Sequence, residues 1–193
     1  MMHTIPPASP RQLIHTRQIT TQVYLREDGL WELEATLLDT KAKDFHLSSG
    51  VRAKGEAIHD MTLCITIDDK FNILAAKATT KAAPYNQHCK EIEPDYQKLV
   101  GLNLAKGFRT ALKDLFAGVA GCSHMTELCS VLPTAAIQGF AGEVIKVTDQ
   151  GNGQMPFQLN GCHALRTDGE AVKKYHKVWY GAPVINKVPS KKP

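Results

Sequence analysis

The sequence predicts an α+β fold: a mainly antiparallel sheet built from early hairpins, with helices packed on one face. Three observations predict it. Apolar residues alternate with period two around two turn clusters, Asp28-Gly29 and Asp68-Asp69-Lys70. From about Tyr96 the period becomes helical. Strands therefore precede helices, which distinguishes α+β from an alternating α/β order.

In chain order, residues 1–16 read as an extended, proline-containing arm. The first hairpin carries Ile19, Val23 and Leu25 before Asp28-Gly29, and Trp31, Leu33, Ala35 and Leu37 after it. Residues 39–57, "DTKAKDFHLSSGVRAKGEA", form a long polar loop that holds either a broken strand or a cover. Loops longer than about 12–15 residues tend to be functional or disordered. It is expected to cover the site, with Asp39 and Lys41 facing the pocket. The second hairpin places Met61, Leu63, Ile65 and Ile67 on one face, with Cys64 opposite, and continues as Phe71, Ile73, Ala75 and Lys77.

Tyr96, Leu99, Val100, Phe108, Leu112, Leu115 and Phe116 predict two short helices broken at Gly101 and Gly107. A longer helix is predicted from about Cys122 to Phe140, kinked at Pro133, which lacks a backbone donor. Residues 141–160 are glycine-rich and loop-like, and "CHALRTDGEAVKKYHKVWY" reads as a last hairpin or strand turning at Asp168-Gly169. The domain organisation that follows is an arm (1–16), one α+β domain (17–182) and a basic tail (183–193).

Composition narrows the function classes. Of the net charge of +4, Lys187, Lys191 and Lys192 supply three, so the body is nearly neutral and offers no nucleic-acid footprint. No run approaches the roughly 18 apolar residues of a membrane span. Five scattered cysteines and an N-terminus without an apolar core region predict reduced thiols in the cytoplasm. There is no P-loop, dinucleotide glycine fingerprint, Gly-x-Ser-x-Gly elbow or His-Glu-x-x-His motif, so no nucleotide cofactor is expected.

The stretch "GVAGCSHMTEL" sets Cys122, His124 and Glu127 at a helix start. A thiol there feels the positive end of the helix dipole, which favours the thiolate that binds metal or attacks carbon. Glu127, about one turn beyond His124, is placed to orient it. The same residues also fit a buried small thiol with surface His and Glu. Cys129, two turns on, reads as core. His88 and Cys89 lie where the second hairpin leads into a helix, and His59-Asp60 lie at its entrance, so the two segments are neighbours in space. Cys162-His163 reads as structural, and Arg26, Asp28, Glu32 and Glu34 as a turn and a solvated strand face.

The segments "YLREDGLWELEATLLDTKAKDF", "GEAIHDMTLCITIDD" and "GVAGCSHMTEL" resemble the bacterial family of domain of unknown function 2889 over most of residues 16–180. Residues 55–140 are also similar, in order of elements, to iron–sulfur scaffold proteins of the IscU, NifU and SufE type. That second resemblance implies a ligand set of Asp60, Cys89 and Cys122, with Ile58-His59 replacing the scaffolds' Cys-Gly, His59 standing in for the missing cysteine, and His124 as a further ligand or base. Such a set suits zinc or iron rather than a cluster.

The leading expectation is thus a cytoplasmic protein with an open zinc or iron site at Cys89, Cys122, Asp60 and His59. The rival is a hydrolase or lyase whose catalytic residues are Cys122, His124 and Glu127, acting on a small organic acid, ester or aromatic catabolite. The third reading is an interaction module without a site. A small-molecule substrate or a protein partner fits these readings; nucleic acid and membrane do not. The sequence leaves open whether the protein is an enzyme, and its oligomeric state.

Overall fold

The structure, a computed structural model, describes residues 9–148 and 153–183. The expected arm lies outside the described residues up to position 8, and the expected tail from position 184. The chain divides into two compact units, Met1–Gly139 and Phe140–Pro193.

In the first unit, β1 (His15–Leu25), β2 (Trp31–Lys41), β5 (Ala57–Ile67) and β6 (Ile73–Ala82) form one antiparallel sheet in the order β1-β2-β5-β6. A separate two-stranded hairpin, β3 (Phe45–Leu47) and β4 (Gly50–Arg52), stands between β2 and β5. Helices follow: α1 (Asn86–Lys90), α2 (Phe108–Phe116) and α3 (Ser123–Phe140), with a 3-10 segment at Glu93–Leu99. The class is α+β, as the change of period indicates.

Period-two alternation creates the inner face of the sheet. Trp31, Leu33, Ala35 and Leu37 on β2 stand opposite Ile67, Ile65, Leu63 and Met61 on β5, and all are buried. Burying each large side chain among them stabilises the fold by about 1.5–3 kcal/mol. The tight turn between β1 and β2 depends on Gly29, whose φ of 79° is costly for any residue with a Cβ. From α3, Met125, Leu128, Cys129, Leu132 and Ala136 are buried at helical spacing. Gly139 lets this helix approach β1, since a Cβ there would lie 2.5 Å from the Val23 Cγ1 atom. Pro133 sits within α3, and the helix continues past it.

Three expectations need correction. The pattern Phe71, Ile73, Ala75, Lys77 does not persist along β6. A register irregularity between Thr66 and Ile67 pairs Ile67 with Ile73 but Thr66 with Ala75. Beyond it the buried positions become Ala76, Ala78 and Thr80, while Leu74 turns outward. Such a bulge inserts one residue and reverses the faces that follow. Residues 39–57 begin within a strand and not in the loop, because β2 runs on to Lys41, while the β3–β4 hairpin supplies a broken strand in the middle. Ser49 Oγ donates to the Pro84 carbonyl, which ties this hairpin to the segment before α1.

The third correction lies in the second unit, where 163–180 is helical and not a hairpin. It contains α4 (Glu170–Tyr175) between 3-10 turns at His163–Leu165 and Lys177–Trp179. Good helix formers follow Gly169, and only Val172 of α4 is buried. Thr167 is fixed by its amide on Asn160 Oδ1 and its hydroxyl on the Ala182 carbonyl.

The outer edge of β6 is covered by the Glu93–Leu99 segment. The Thr80 amide donates to Glu93 Oε1, and Gln97 Nε2 donates to the Ala76 carbonyl. Side chains here replace the missing neighbouring strand. Among the described residues, no helix is long and apolar enough to cross a membrane.

Candidate functional site

The inner face of the sheet changes character at one end. Ile19, Leu37 and Met61 form an apolar row across β1, β2 and β5, and two residues further along, the next row is Arg17, Asp39 and His59. The alternation that buries leucines therefore also turns these three inward. Asp39 is 1% exposed. Such a carboxylate needs compensating donors, because burying an unpaired charge is strongly unfavourable.

It has them. Arg17 donates from Nε to Asp39 Oδ1 and from Nη2 to Oδ2, both at 2.8 Å. This bidentate fork is a strong form of charge-assisted hydrogen bond. His59 Nδ1 lies 2.9 Å from Oδ2, and His15 Nε2 lies 3.3 Å from Oδ1. A carboxylate only accepts, so His59 must carry its proton on Nδ1, leaving Nε2 as its acceptor. Burial alone pushes the Asp39 carboxyl up, but Arg17 and then His59 outweigh it and hold it below the usual carboxylate range. Burial likewise holds His59 below the usual imidazole value, against the opposing pull of Asp39.

The start of α3 supplies the other half. Gly121 is required there, since a Cβ would lie 2.6 Å from the Phe116 carbonyl oxygen. The Tyr96 hydroxyl accepts the Cys122 amide and donates to the Cys122 carbonyl, both at 3.1 Å. That carbonyl also accepts the Thr126 amide, which opens the helix. His124 then stacks on His59, ring centroids 3.7 Å apart and tilted by 30°. Its Nδ1 faces Cys122 Sγ at 3.9 Å, and its Nε2 faces Asp39 Oδ2 at 3.9 Å. Burial raises the Cys122 thiol, but the His124 ring and the amides of Met125 and His124 prevail and bring it below the ordinary cysteine value. Glu127, one turn on, pairs with Arg17 Nη1.

Cys122 also opens onto a groove of about 470 Å³ whose other wall carries His88, Cys89, Glu91 and Asp95. Cys122 is thus half-buried, lining this groove while its sulfur faces His124 and the polar cluster beyond it.

Of the residues expected at the site, Cys122, His124, Glu127 and His59 come together. Glu127 holds Arg17 instead of orienting His124. Asp60 does not join them: it neighbours His59 on β5, so its side chain belongs to the opposite face. Asp39 takes the carboxylate position instead. Cys89 is in the groove and outside the donor cluster; among the described residues the set of three donors that converges is Asp39, His59 and His124, within 4.8 Å of one another. Lys41 lies over the Phe45 ring, 5.1 Å from its centroid. Arg17 and His15 were not anticipated. Their signal was the inward parity of Arg17 in an otherwise apolar alternation, which demands a buried partner.

A family profile matches residues 15–138, about two thirds of the chain. The chain belongs to DUF2889, a family of proteins of unknown function. The span that marks DUF2889 runs from β1 into α3 and includes every member of the cluster, from His15 and Arg17 to Glu127. No curated protein and no solved structure matches the chain.

Proposed function

We propose that this DUF2889 protein is an enzyme that uses the Cys122 thiolate as nucleophile and His124 as its proton partner. Its substrate class is a small organic acid, ester or aromatic catabolite with an electrophilic carbon, and its reaction class hydrolysis or lysis. One observation carries the reading: the His124 ring stands between a thiol and a buried carboxylate, with one nitrogen turned to each. That is the order nucleophile, base, orienting acid that activates a thiol. Both 3.9 Å contacts must shorten when substrate binds, as catalytic hydrogen bonds commonly do. His59, fixed by Asp39 through Nδ1, keeps Nε2 as a second proton acceptor beside the first. Arg17 holds the Asp39 carboxylate ionised and in place. A reducing cytoplasm is the proposed setting, because an activated thiolate persists there.

The test is iodoacetamide labelling across pH. Cys122 should react with a midpoint below the roughly 8.5 of an ordinary thiol. His124→Gln should move that midpoint upward, because it removes the strongest influence lowering the thiol. Labelling of Cys122 no faster than that of an unfolded control would end the reading.

A metal-binding alternative rests on the convergence of Asp39, His59 and His124, a two-histidine, one-carboxylate set suited to zinc or iron. The donor chemistry fits, but the hydrogen bonding is against it. Arg17 already occupies one position on each Asp39 oxygen, and His59 Nδ1–H occupies another. With His15 on Oδ1 as well, both Asp39 oxygens are filled, so a metal would have to displace one of these donors from the carboxylate, although His59 could still bind it through Nε2. Elemental analysis of protein purified without a histidine tag under low oxygen decides it: stoichiometric zinc or iron, lost in His59→Ala, would replace the thiol reading with this one.

A further inference from the structure

The groove in front of Cys122 contains a second thiol that the nucleophile reading does not use. Cys89 lies on the single turn of α1, and Cys122, at the start of α3, lines the same groove. The other cysteines are placed differently. Cys64 is on the outer face of the sheet, where burial and the neighbouring Glu32 and Glu34 push its thiol up to about 11. Cys129 is fully buried, and burial pushes it up to about 12. Cys162 is exposed in the second unit.

We infer that Cys89 and Cys122 form a reversible oxidative modification site, with Cys122 the thiol that meets a hydroperoxide and Cys89 the thiol that resolves it. The inference rests on Cys122 being an activated thiolate. In the first step the Cys122 thiolate attacks the distal oxygen of the hydroperoxide. The O–O bond breaks, Cys122 becomes a sulfenic acid, and the peroxide is reduced to an alcohol or water, its leaving oxygen taking a proton. In the second step Cys89 sulfur attacks Cys122 sulfur. The S–O bond breaks, a disulfide forms and water leaves with the Cys89 proton. An accessible thiolate that shares a groove with a second, resolving thiol is the arrangement that stops oxidation at a reversible stage.

The two walls are tied through one residue. Tyr96, in the 3-10 segment that follows α1, holds the Cys122 backbone from both sides. The Cys122 wall is therefore fixed. A disulfide requires Cα atoms within about 7 Å, and α1, which carries Cys89, is one turn of five residues with no side-chain cap at its start. With the bond closed, the Cys122 sulfur is no longer available to His124, so oxidation and nucleophilic activity exclude each other.

The experiment treats reduced full-length protein with excess hydrogen peroxide, enough for two oxidations per thiol, and follows it by peptide mass mapping and iodoacetamide labelling. The expected result is a Cys89–Cys122 crosslink, loss of Cys122 labelling, and recovery of both with dithiothreitol. Cys89→Ser should label normally before oxidation and then lose labelling irreversibly as Cys122 passes to sulfinic acid. Wild-type protein that labels rapidly at Cys122 but proceeds to sulfinic acid with Cys89 free overturns the pairing and leaves the nucleophile reading standing. A crosslink from Cys122 to Cys162 also overturns it. Cys122 that neither labels nor oxidises overturns both.

Discussion

Cys122 and Cys129 lie two turns apart on α3 and are set to opposite chemistry by what surrounds them. Cys122 is half-buried at the helix start, beside His124 and the amides of Met125 and His124, and its thiol is lowered. Cys129 touches only the core and is raised to about 12 by burial. Substitution by serine should separate them. Cys122→Ser should remove fast alkylation while leaving the melting temperature nearly unchanged, since the position is half open. Cys129→Ser should leave Cys122 alkylation intact and cost about 1–3 kcal/mol, the penalty for a hydroxyl in an apolar site. Thermal unfolding and alkylation rates on the two variants check this. A large loss of stability in Cys122→Ser with none in Cys129→Ser would mean that the two faces of α3 have been assigned the wrong way round.

At the scale of elements, the corner between α2 and α3 controls the site. Gly121 stands where any Cβ would press within 2.7 Å on both the carbonyl oxygen and the Cβ of Phe116. Phe116 cannot easily yield, being buried and stacked on Tyr96 at 4.5 Å, and Tyr96 in turn holds the Cys122 backbone. Gly121→Ala should therefore destabilise by about 1–3 kcal/mol, as overpacked sites do. It should also slow Cys122 alkylation, because the strain passes directly to the nucleophile. A variant equally stable and equally reactive would show that the corner is soft. Much of this architecture is legible in the sequence: the two hairpins, their turns and the long helix follow from period and turn chemistry. The β6 bulge is not, because an inserted residue is a tertiary compromise between the 68–72 turn and the segment that covers the edge. Among the site residues, Cys122, His124 and His59 are legible by type and position. Asp39 reads as the first residue of a cover loop, facing the pocket as it does here, but the carboxylate position in the site falls to Asp60 on sequence because that residue adjoins His59. Parity decides between them, since residues adjacent on a strand face opposite ways. The α4 region was misread because a short apolar and aromatic run does not by itself distinguish a strand from a turn of helix.

For the molecule as a whole, the buried row at the end of the sheet makes stability depend on pH, and the sign can be worked out. Asp39 has a folded value below its unfolded value of about 3.9. Between those two values the unfolded chain binds more protons, so the contribution of Asp39 is complete above about 3.9 and lost as pH falls through the folded value. His59 is also lowered in the folded state, in its case by burial. Its unfolded value is about 6.5, so below that pH the unfolded chain again takes up more protons and stability falls. Both groups act in the same direction, at different pH. The contribution of these two groups is flat above about pH 7, declines between about 6.5 and the lowered His59 value, and declines again below about 3.9. His59→Gln should remove the first decline and keep the second. Urea midpoints measured from pH 8 to pH 3 test this on wild type and variant. Stability that rises as wild type is taken from pH 7.5 to 5.5 would mean that His59 is protonated in the fold. Asp39 would then be paired with two cations, Arg17 and an imidazolium, and His59 could not serve as a proton acceptor at neutral pH.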